Sequence, residues 1–189
     1  MFLHNRINKK ELKERLKKDE LKRITISFYR YVKIIDPKVL RDSLFKQWSE
    51  LNCLGRIYLA KEGINAQMSV PEEHFETFKN TLYTDKRFAG VPFKIGVEDN
   101  GKSFYKLTIK VRDKVVADGI NDPGFDPSNT GKYLQAKEFN ETLSMPGTIV
   151  IDMRNHYESE VGHFEGAVLP DSDTFREELP KVADMLKGK

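Results

Sequence analysis

The sequence predicts two regions of different fold class: an α+β ferredoxin-like or acylphosphatase-like N-terminal domain, followed by the first part of an α/β domain. The first observation is a β-α-β-β-α-β order of apolar patterns, typical of a split β-α-β sandwich. The second is an uninterrupted β-branched run near residue 150, which favours a strand buried on both faces of a parallel sheet. A stretch rich in Gly, Pro, Asn and Asp separates the two regions. We therefore predict an N-terminal basic helix over 1–23, the α+β domain over 24–116, a linker over 117–132 and an incomplete α/β domain over 133–189.

The composition indicates a cytoplasmic protein with a highly charged surface. Of the 189 residues, 32% are charged and 39% are hydrophobic, and the formal net charge is +3. No run approaches the roughly 18 apolar residues of a membrane span, and the N-terminus lacks the apolar centre of a secretory signal. The single cysteine, Cys53, excludes an internal disulfide and a cysteine-built zinc site. We expect no membrane contact and no metal.

Basic residues outnumber acidic ones between residues 9 and 23, where a short helix is expected. Asn8 and Glu11 have the spacing of a capping box at its start, and Leu12 with Leu16 forms a thin apolar stripe. The pattern favours a solvated helix that packs lightly on the domain. An RNA-contacting arm is the alternative.

The α+β domain begins with a strand and a helix. From Ile24 onward apolar and polar residues alternate, which predicts a half-buried strand. Asp36 then supplies an N-cap and Pro37 a first-turn proline, and the helix that follows repeats apolar residues at nearly fourfold spacing as far as Leu51.

A hairpin and a second helix complete the domain. Alternation and turn chemistry predict the hairpin, Pro71 opens the helix, and further alternation predicts later strands. We expect both helices to cover one face of an antiparallel sheet. The predicted bounds are 56–59 and 64–70 for the hairpin strands, 61–63 for their turn, 93–98 and 106–115 for the later strands, and 99–101 for the turn between them.

The face of this sheet that the helices leave uncovered carries tyrosines interleaved with cations. In single-stranded RNA recognition, aromatic rings stack on bases and cations contact phosphates. Because a half-solvated antiparallel sheet is polar on one face in any protein, a plain solvent or interdomain face is the other interpretation. The candidate RNA-binding residues are Tyr29, Tyr31, Arg56, Tyr58, Lys106, Lys110 and Arg112, with Asn65 and Gln67 between them.

Polar residues that could form a functional site follow the apolar run 149–151 in the second region. Asp152 and Arg154 come directly after it, at the carboxyl end of a predicted strand, where α/β folds build their sites. A short acidic helix over 156–161 and the segment Gly-His-Phe-Glu-Gly-Ala at 162–167 come next. Taken alone, the Asp-x-Arg pattern favours a structural ion pair.

Together these second-region motifs resemble the first half of a rhodanese-homology domain. Over the whole chain, the sequence resembles the bacterial rhodanese-domain tRNA uridine hydroxylases. That resemblance implies an acylphosphatase-like domain joined to a rhodanese-like domain, with tRNA as the partner. It also implies oxygen-dependent hydroxylation of carbon five of the wobble uridine, with molecular oxygen as co-substrate; no organic cofactor is identified. The stretches that carry it are 3–6, 25–29, 60–66, 110–113 with 116–120, and 151–158.

The resemblance also implies roles for individual residues. The nucleophilic cysteine of the family lies in a Gly-rich loop that would fall beyond Lys189, so we expect no catalytic residue in this chain and no activity from it alone. Asp152 and Arg154 become supporting residues that brace this loop through charge-assisted hydrogen bonds. His163 ties its turn to neighbouring backbone, with proton transfer as the alternative role. We expect Cys53, at a helix end, to be inert.

Two other functions fit the same residues. A rhodanese-type sulfurtransferase would carry sulfur as a cysteine persulfide, whereas a non-catalytic RNA- or protein-binding module would need no nucleophile. The residues expected beyond Lys189 distinguish these functions. A cysteine there, followed by a Gly-rich turn and an arginine, would indicate catalysis, and an aspartate or serine in its place would indicate binding alone.

Overall fold

The computed structural model describes residues 7–97, 101–116, 118–120, 122, 126 and 129–188. The chain forms two compact units, Met1–Val115 and Val116–Lys189. The motif at 3–6, turn residues 99 and 100, and part of the predicted linker lie outside the described residues. The domain bounds predicted at 24, 117 and 133 stay predictions.

The first unit contains a five-stranded sheet, and its sequence of elements confirms the predicted β-α-β-β-α-β order. Its elements are α1 (Lys9–Lys18), β1 (Arg23–Tyr31), α2 (Pro37–Glu50), β2 (Leu54–Ala60), β3 (Gly63–Pro71), α3 (Phe75–Thr84), β4 (Lys94–Ile95) and β5 (Leu107–Val111). The strands lie side by side in the order β4-β1-β3-β2-β5.

The last strand contradicts the prediction of an antiparallel sheet. β1 to β4 pair antiparallel, with Ile57 of β2 opposite Ala66 of β3, but β5 runs parallel to β2 with Ile109 opposite Ile57. Because β4 already occupies the free edge of β1, the next strand adds at the other edge of the sheet, beside β2. The reversal after β4 then makes β5 parallel to its new neighbour.

Local sequence explains where the helices begin. The Asp36 carboxylate accepts hydrogen bonds from the amides of Lys38 and Val39 at 2.9 and 3.0 Å, which confirms the predicted N-cap of α2. The Asn8 side chain accepts from the amide of Lys10 at 2.9 Å at the start of α1. The second predicted helix begins later than expected, because Pro71 closes β3 and a 3-10 turn, Glu72–His74, precedes α3.

The later strands are shorter than alternation predicted. Of the predicted strand 93–98, whose last residue lies outside the described residues, β4 contains Lys94 and Ile95, and β5 ends at Val111 instead of at residue 115. The side chain of Ile95 is 59% exposed, so the apolar residues at this edge do not all face the core. The alternation of apolar and polar residues therefore extends beyond the residues that form the strands.

The core lies between the sheet and the two helices α2 and α3. Trp48 of α2 and Phe78 of α3 are fully buried with their ring centres 5.6 Å apart, and Phe28 of β1 contacts the Phe78 ring from the sheet. Buried aliphatic side chains of the strands complete it: Ile26, Ile57, Leu59, Ile64, Met68, Leu107 and Ile109. Close packing on this face holds the strands in register and thereby sets the spacing of side chains on the other face.

The second unit contains three helices, α4 (Ala136–Leu143), α5 (His156–Val161) and α6 (Phe175–Met185). The predicted bounds of the short acidic helix are confirmed by α5. The predicted buried strand over 149–151 is wrong for the described residues, since Ile149 is 42% exposed and only Ile151 forms a bridge, parallel to Val168. None of the helices that the structure describes is long and apolar enough to cross a membrane.

Candidate functional site

Two neighbouring rows of side chains cross the face of the sheet that α2 and α3 leave uncovered. Residues opposite one another on adjacent strands lie about 4.5–5.5 Å apart, so each row is a line of neighbours. On β1, β3, β2 and β5 in turn, the first row is Tyr29, Asn65, Tyr58 and Lys110, and the second is Ser27, Gln67, Arg56 and Thr108.

Aromatic rings and cations contact one another within this surface. The rings of Tyr29 and Tyr31 meet edge to face with centres 6.4 Å apart, and the Arg112 guanidinium lies 5.7 Å from the ring centre of Tyr58. Tyr29 is 47% exposed, so its ring can reach a ligand. We refer to Tyr29, Tyr31, Arg56, Tyr58, Lys110 and Arg112 as the open-face cluster.

The cations of the open-face cluster keep their charge available to a ligand. Among the residues that the structure describes, neither Arg56, Lys110 nor Arg112 forms an ion pair with an acidic side chain. All three side chains are exposed. An approaching polyanion would therefore meet three cations without displacing an internal carboxylate.

One end of the same face is covered by the chain itself. The Ser69 hydroxyl, on the uncovered side of β3, is fully buried and donates a hydrogen bond to the carbonyl of Gly101. At Gly101 a side chain would collide with Arg23, since a Cβ built there would lie 2.5 Å from the Arg23 Cβ. The open-face cluster thus occupies the opposite end, toward the end of β1.

Lys106 lies apart from the other predicted RNA-binding residues. It precedes β5, and its ammonium nitrogen lies 5.9 Å from the ring centre of Tyr105. The structure thus brings six of the seven predicted residues into one cluster and places the seventh at the covered end of the sheet.

In the second unit, Asp152 and Arg154 form a two-pronged ion pair. The Arg154 Nε and Nη2 donate to the two Asp152 carboxylate oxygens at 2.9 and 2.6 Å, and the Arg154 amide donates to Asp152 Oδ1 at 3.1 Å. Arg154 Nη2 also donates to the carbonyl of Gly162 at 2.6 Å. The guanidinium hydrogen bonds lower the pKa of Asp152, so the carboxylate stays ionised at neutral pH. The pair thereby ties the segment after the Ile151 bridge to the start of the 162–167 turn.

His163 and Glu178 lie in the surroundings of this ion pair. The His163 Nδ1 lies 2.9 Å from the carbonyl oxygen of Ser159, to which it donates in the Nδ1-protonated tautomer. The Glu178 side chain is buried, and no described group hydrogen-bonds its Oε1. Burial, with a smaller contribution from the negative charge of Asp152, raises the pKa of Glu178.

The Cys53 thiol is buried at the end of α2, with 2% of the residue exposed. Burial raises the pKa of this thiol to about 12, against a smaller opposing effect of Arg23. The thiolate is the reactive form of cysteine, so Cys53 is unsuited to act as a nucleophile at neutral pH. Among the described residues, no group of three or more His, Cys, Asp or Glu is placed to hold a metal ion.

Two residues near these sites escaped sequence reasoning. Tyr105 breaks no pattern in the sequence, and only the fold brings the ammonium nitrogen of Lys9 to 6.0 Å from its ring centre. Glu178 lies in the first turn of α6, where acidic residues are common for helix-dipole reasons, so nothing marks its burial in advance.

Comparison with known proteins finds a family model that matches the first unit and relatives that match the whole chain. Residues 23–115 match the model of the UPF0176 acylphosphatase-like domain, which confirms the predicted fold class of this region. The chain is 54% identical over 186 residues to a Photorhabdus laumondii protein named tRNA uridine(34) hydroxylase. It is a homologue of the tRNA uridine(34) hydroxylases. The resemblance found in the sequence is thereby confirmed.

Relatives of the same name occur in other bacteria. The chain is 51% identical over 187 residues to the Leptospira interrogans tRNA uridine(34) hydroxylase and 54% identical over 187 residues to one from Escherichia coli. These matches cover 98–99% of the chain and 51–53% of each relative. The chain therefore spans about half the length of the hydroxylases that it matches.

Proposed function

We propose that the protein to which this chain belongs is a cytoplasmic tRNA-modifying enzyme that hydroxylates carbon five of the wobble uridine with molecular oxygen. Similarity over nearly the whole chain to proteins named tRNA uridine(34) hydroxylase supports the reaction and the substrate. In this proposal the chain supplies an RNA-binding acylphosphatase-like domain and the beginning of a rhodanese-like domain. In this proposal the catalytic cysteine belongs to the part of the hydroxylases that this chain does not cover.

The observation that carries RNA binding is the open-face cluster. Tyr58 lies between Asn65 and Lys110 in its row, and Arg112 approaches its ring from the end of β5. Bases of a single-stranded loop can stack on such rings while the cations contact the phosphates beside them. An anticodon loop offers unstacked bases of this kind. The alternative of a plain solvent face gives no role to three cations beside the tyrosines, none of which forms an ion pair with a described acidic side chain.

In the rhodanese-like part, we assign Asp152 and Arg154 a positioning role. Their ion pair, together with the hydrogen bond from Arg154 to Gly162, holds together the two segments that would face a catalytic loop. His163 fastens the same turn to the carbonyl of Ser159. In this role, Asp152, Arg154 and His163 hold the segments in place and take no part in the chemical step.

A sulfurtransferase that uses Cys53 receives no support from the structure. A persulfide carrier needs a thiolate that can reach its substrate, and Cys53 is buried with a pKa of about 12. We also expect no hydroxylase activity from this chain alone, since it holds no other cysteine.

The proposed function is tested by nucleoside analysis of tRNA. Cells lacking the gene should contain tRNA without 5-hydroxyuridine at the wobble position, and growth of complemented cells under labelled oxygen should place the label in that hydroxyl group. Mass spectrometry of digested tRNA measures both. Unchanged 5-hydroxyuridine after deletion would refute the proposal, and label entering from water instead would refute the oxygen dependence.

A further inference from the structure

A cavity of about 500 Å³ lies in the first unit, at the end of the sheet opposite the open-face cluster. Pockets that hold small ligands have volumes of about 300–1,000 Å³. It is bounded by α1, the C-terminal end of α2, the beginnings of β1 and β2, and the residues that lead into β5. Its lining includes Leu12, Leu16, Leu21, Phe45, Leu54 and Tyr105.

The wall of this cavity combines apolar side chains with polar ones, and its charged groups other than Lys106 are paired. The polar lining residues are Arg15, which pairs with Glu11, Arg23, which pairs with Asp19, and Ser49, Asn52 and Lys106. The Arg23 side chain is 4% exposed, and it donates to the Asp19 carboxylate at 2.9 Å and to the carbonyl of Asn52 at 3.0 Å. Asn52 adopts a left-handed conformation, with φ 54°, at the end of α2. Because Asp19 neutralises Arg23, the interior of the cavity is suited to an uncharged, planar group.

The rim of the cavity is cationic and aromatic. The Tyr105 ring has the ammonium nitrogens of Lys9 and Lys106 at 6.0 and 5.9 Å from its centre. Neither lysine forms an ion pair with any acidic side chain among the described residues. The rim thus combines a flat apolar surface with two positive charges.

We propose that this cavity binds one unstacked nucleotide of the RNA substrate. Its base enters the apolar wall and stacks on Tyr105, and its phosphate lies between Lys9 and Lys106. The inference rests on the proposed function, because the nucleotide is part of the same RNA that the open-face cluster contacts. A nucleotide matches the lining better than a purely apolar or a purely anionic ligand, because it has both an uncharged ring and a phosphate.

The edge strand β5 connects the two surfaces. Lys106 precedes this strand and Arg112 follows it, so the two cations are six positions apart, about 20 Å at roughly 3.3 Å per residue. Lys110 lies between them and is exposed. An RNA strand that follows β5 would meet cations at both ends of its path, one at the cavity and one beside Tyr58.

Binding of uridine monophosphate to the 189-residue chain provides the first test, with amide NMR shifts as the readout. The nucleotide should shift the amides of Leu16, Tyr105 and Lys106 in a saturable way. The Tyr105→Phe variant should bind as the unmodified chain does, and the Tyr105→Ala variant should not. Inorganic phosphate that produces the same shifts with the same affinity would overturn the proposal, as would the absence of shifts at these positions.

Binding of tRNA provides the second test and separates the inference from the proposed function. Tyr105→Ala should weaken binding by about fivefold to 150-fold, the range for loss of one base–aromatic stack. Tyr133→Ala, which removes a 68% exposed tyrosine of the second unit, is the matched control and should bind normally. If neutralising the open-face cluster weakens binding but Tyr105→Ala does not, the inference alone fails. If neither change weakens binding, the RNA-binding role proposed for the open-face cluster fails with it.

Should Tyr105→Ala unfold the chain, the rim lysines replace it in the test. A Lys9→Gln, Lys106→Gln double variant should lower tRNA affinity, while the exposed control Lys38→Gln should not. Thermal melting of each variant checks that it folds. Equal tRNA affinity of the folded double variant and the control would overturn the proposal.

Discussion

Neutralising the cations of the open-face cluster should flatten the salt dependence of tRNA binding. In a variant with Arg56, Lys110 and Arg112 changed to glutamine, the surface keeps its tyrosines and loses three charges that no described carboxylate compensates. Each phosphate contact with a single strand contributes about 0.7 to the slope of log affinity against log salt, so three contacts contribute about 2. Between 50 and 200 mM salt, the unmodified chain should therefore lose about 20-fold more affinity than the variant does.

Fluorescence anisotropy of labelled tRNA at several potassium chloride concentrations measures these slopes. The matched control changes three other exposed lysines to glutamine, Lys38, Lys46 and Lys86, and removes the same net charge. Exposed substitutions of this kind change stability by about 0.5 kcal/mol or less, so both variants should fold. If the two triple variants show equal slopes, general positive charge explains the binding and the open-face cluster is not the RNA surface.

Three further outcomes follow from the described contacts. An NMR titration should find the pKa of Asp152 below its ordinary value, and Arg154→Gln should raise it. The stability that this ion pair contributes is then present above the unfolded pKa of Asp152 and is lost as pH falls through the lower folded pKa. An unshifted pKa would contradict the pairing. Phe78→Ala should lower the free energy of unfolding by about 3–5 kcal/mol in urea denaturation, whereas Tyr29→Ala should change it far less. The Cys53 thiol should resist a disulfide reagent at pH 8 in the folded chain and react in urea, and rapid reaction in the folded chain would contradict its burial.

The faces of the strands could be predicted from the sequence because each strand packs on one side. Ile26 and Phe28 are buried and Tyr29 is exposed, as their alternation indicated. Which strands pair with each other was harder to predict from the sequence, because pairing depends on which edge of the sheet is free. Local sequence around Ile109 contains no information on whether it will lie beside β1 or β2.

The candidate sites divide in the same way. The pairing of Asp152 with Arg154 was predictable, because two residues so close after a bridge can reach each other locally. The bond from Arg154 to Gly162 and the burial of Glu178 depend on how later segments return to this region. Composition and periodicity do not predict such contacts between segments that are distant in the sequence.

The parallel edge strand gives the open-face cluster most of its charge. β1, β2 and β3 place Tyr29, Tyr58 and Asn65 on the uncovered face but contribute only one cation of the cluster, Arg56. β5 and the residue after it add Lys110 beside Tyr58 in the row and Arg112 against the Tyr58 ring. Had β5 instead paired antiparallel with β4, these cations would lie on the far side of β1, away from Tyr58. The pairing that sequence reasoning missed is therefore the one that combines rings and charges on one surface.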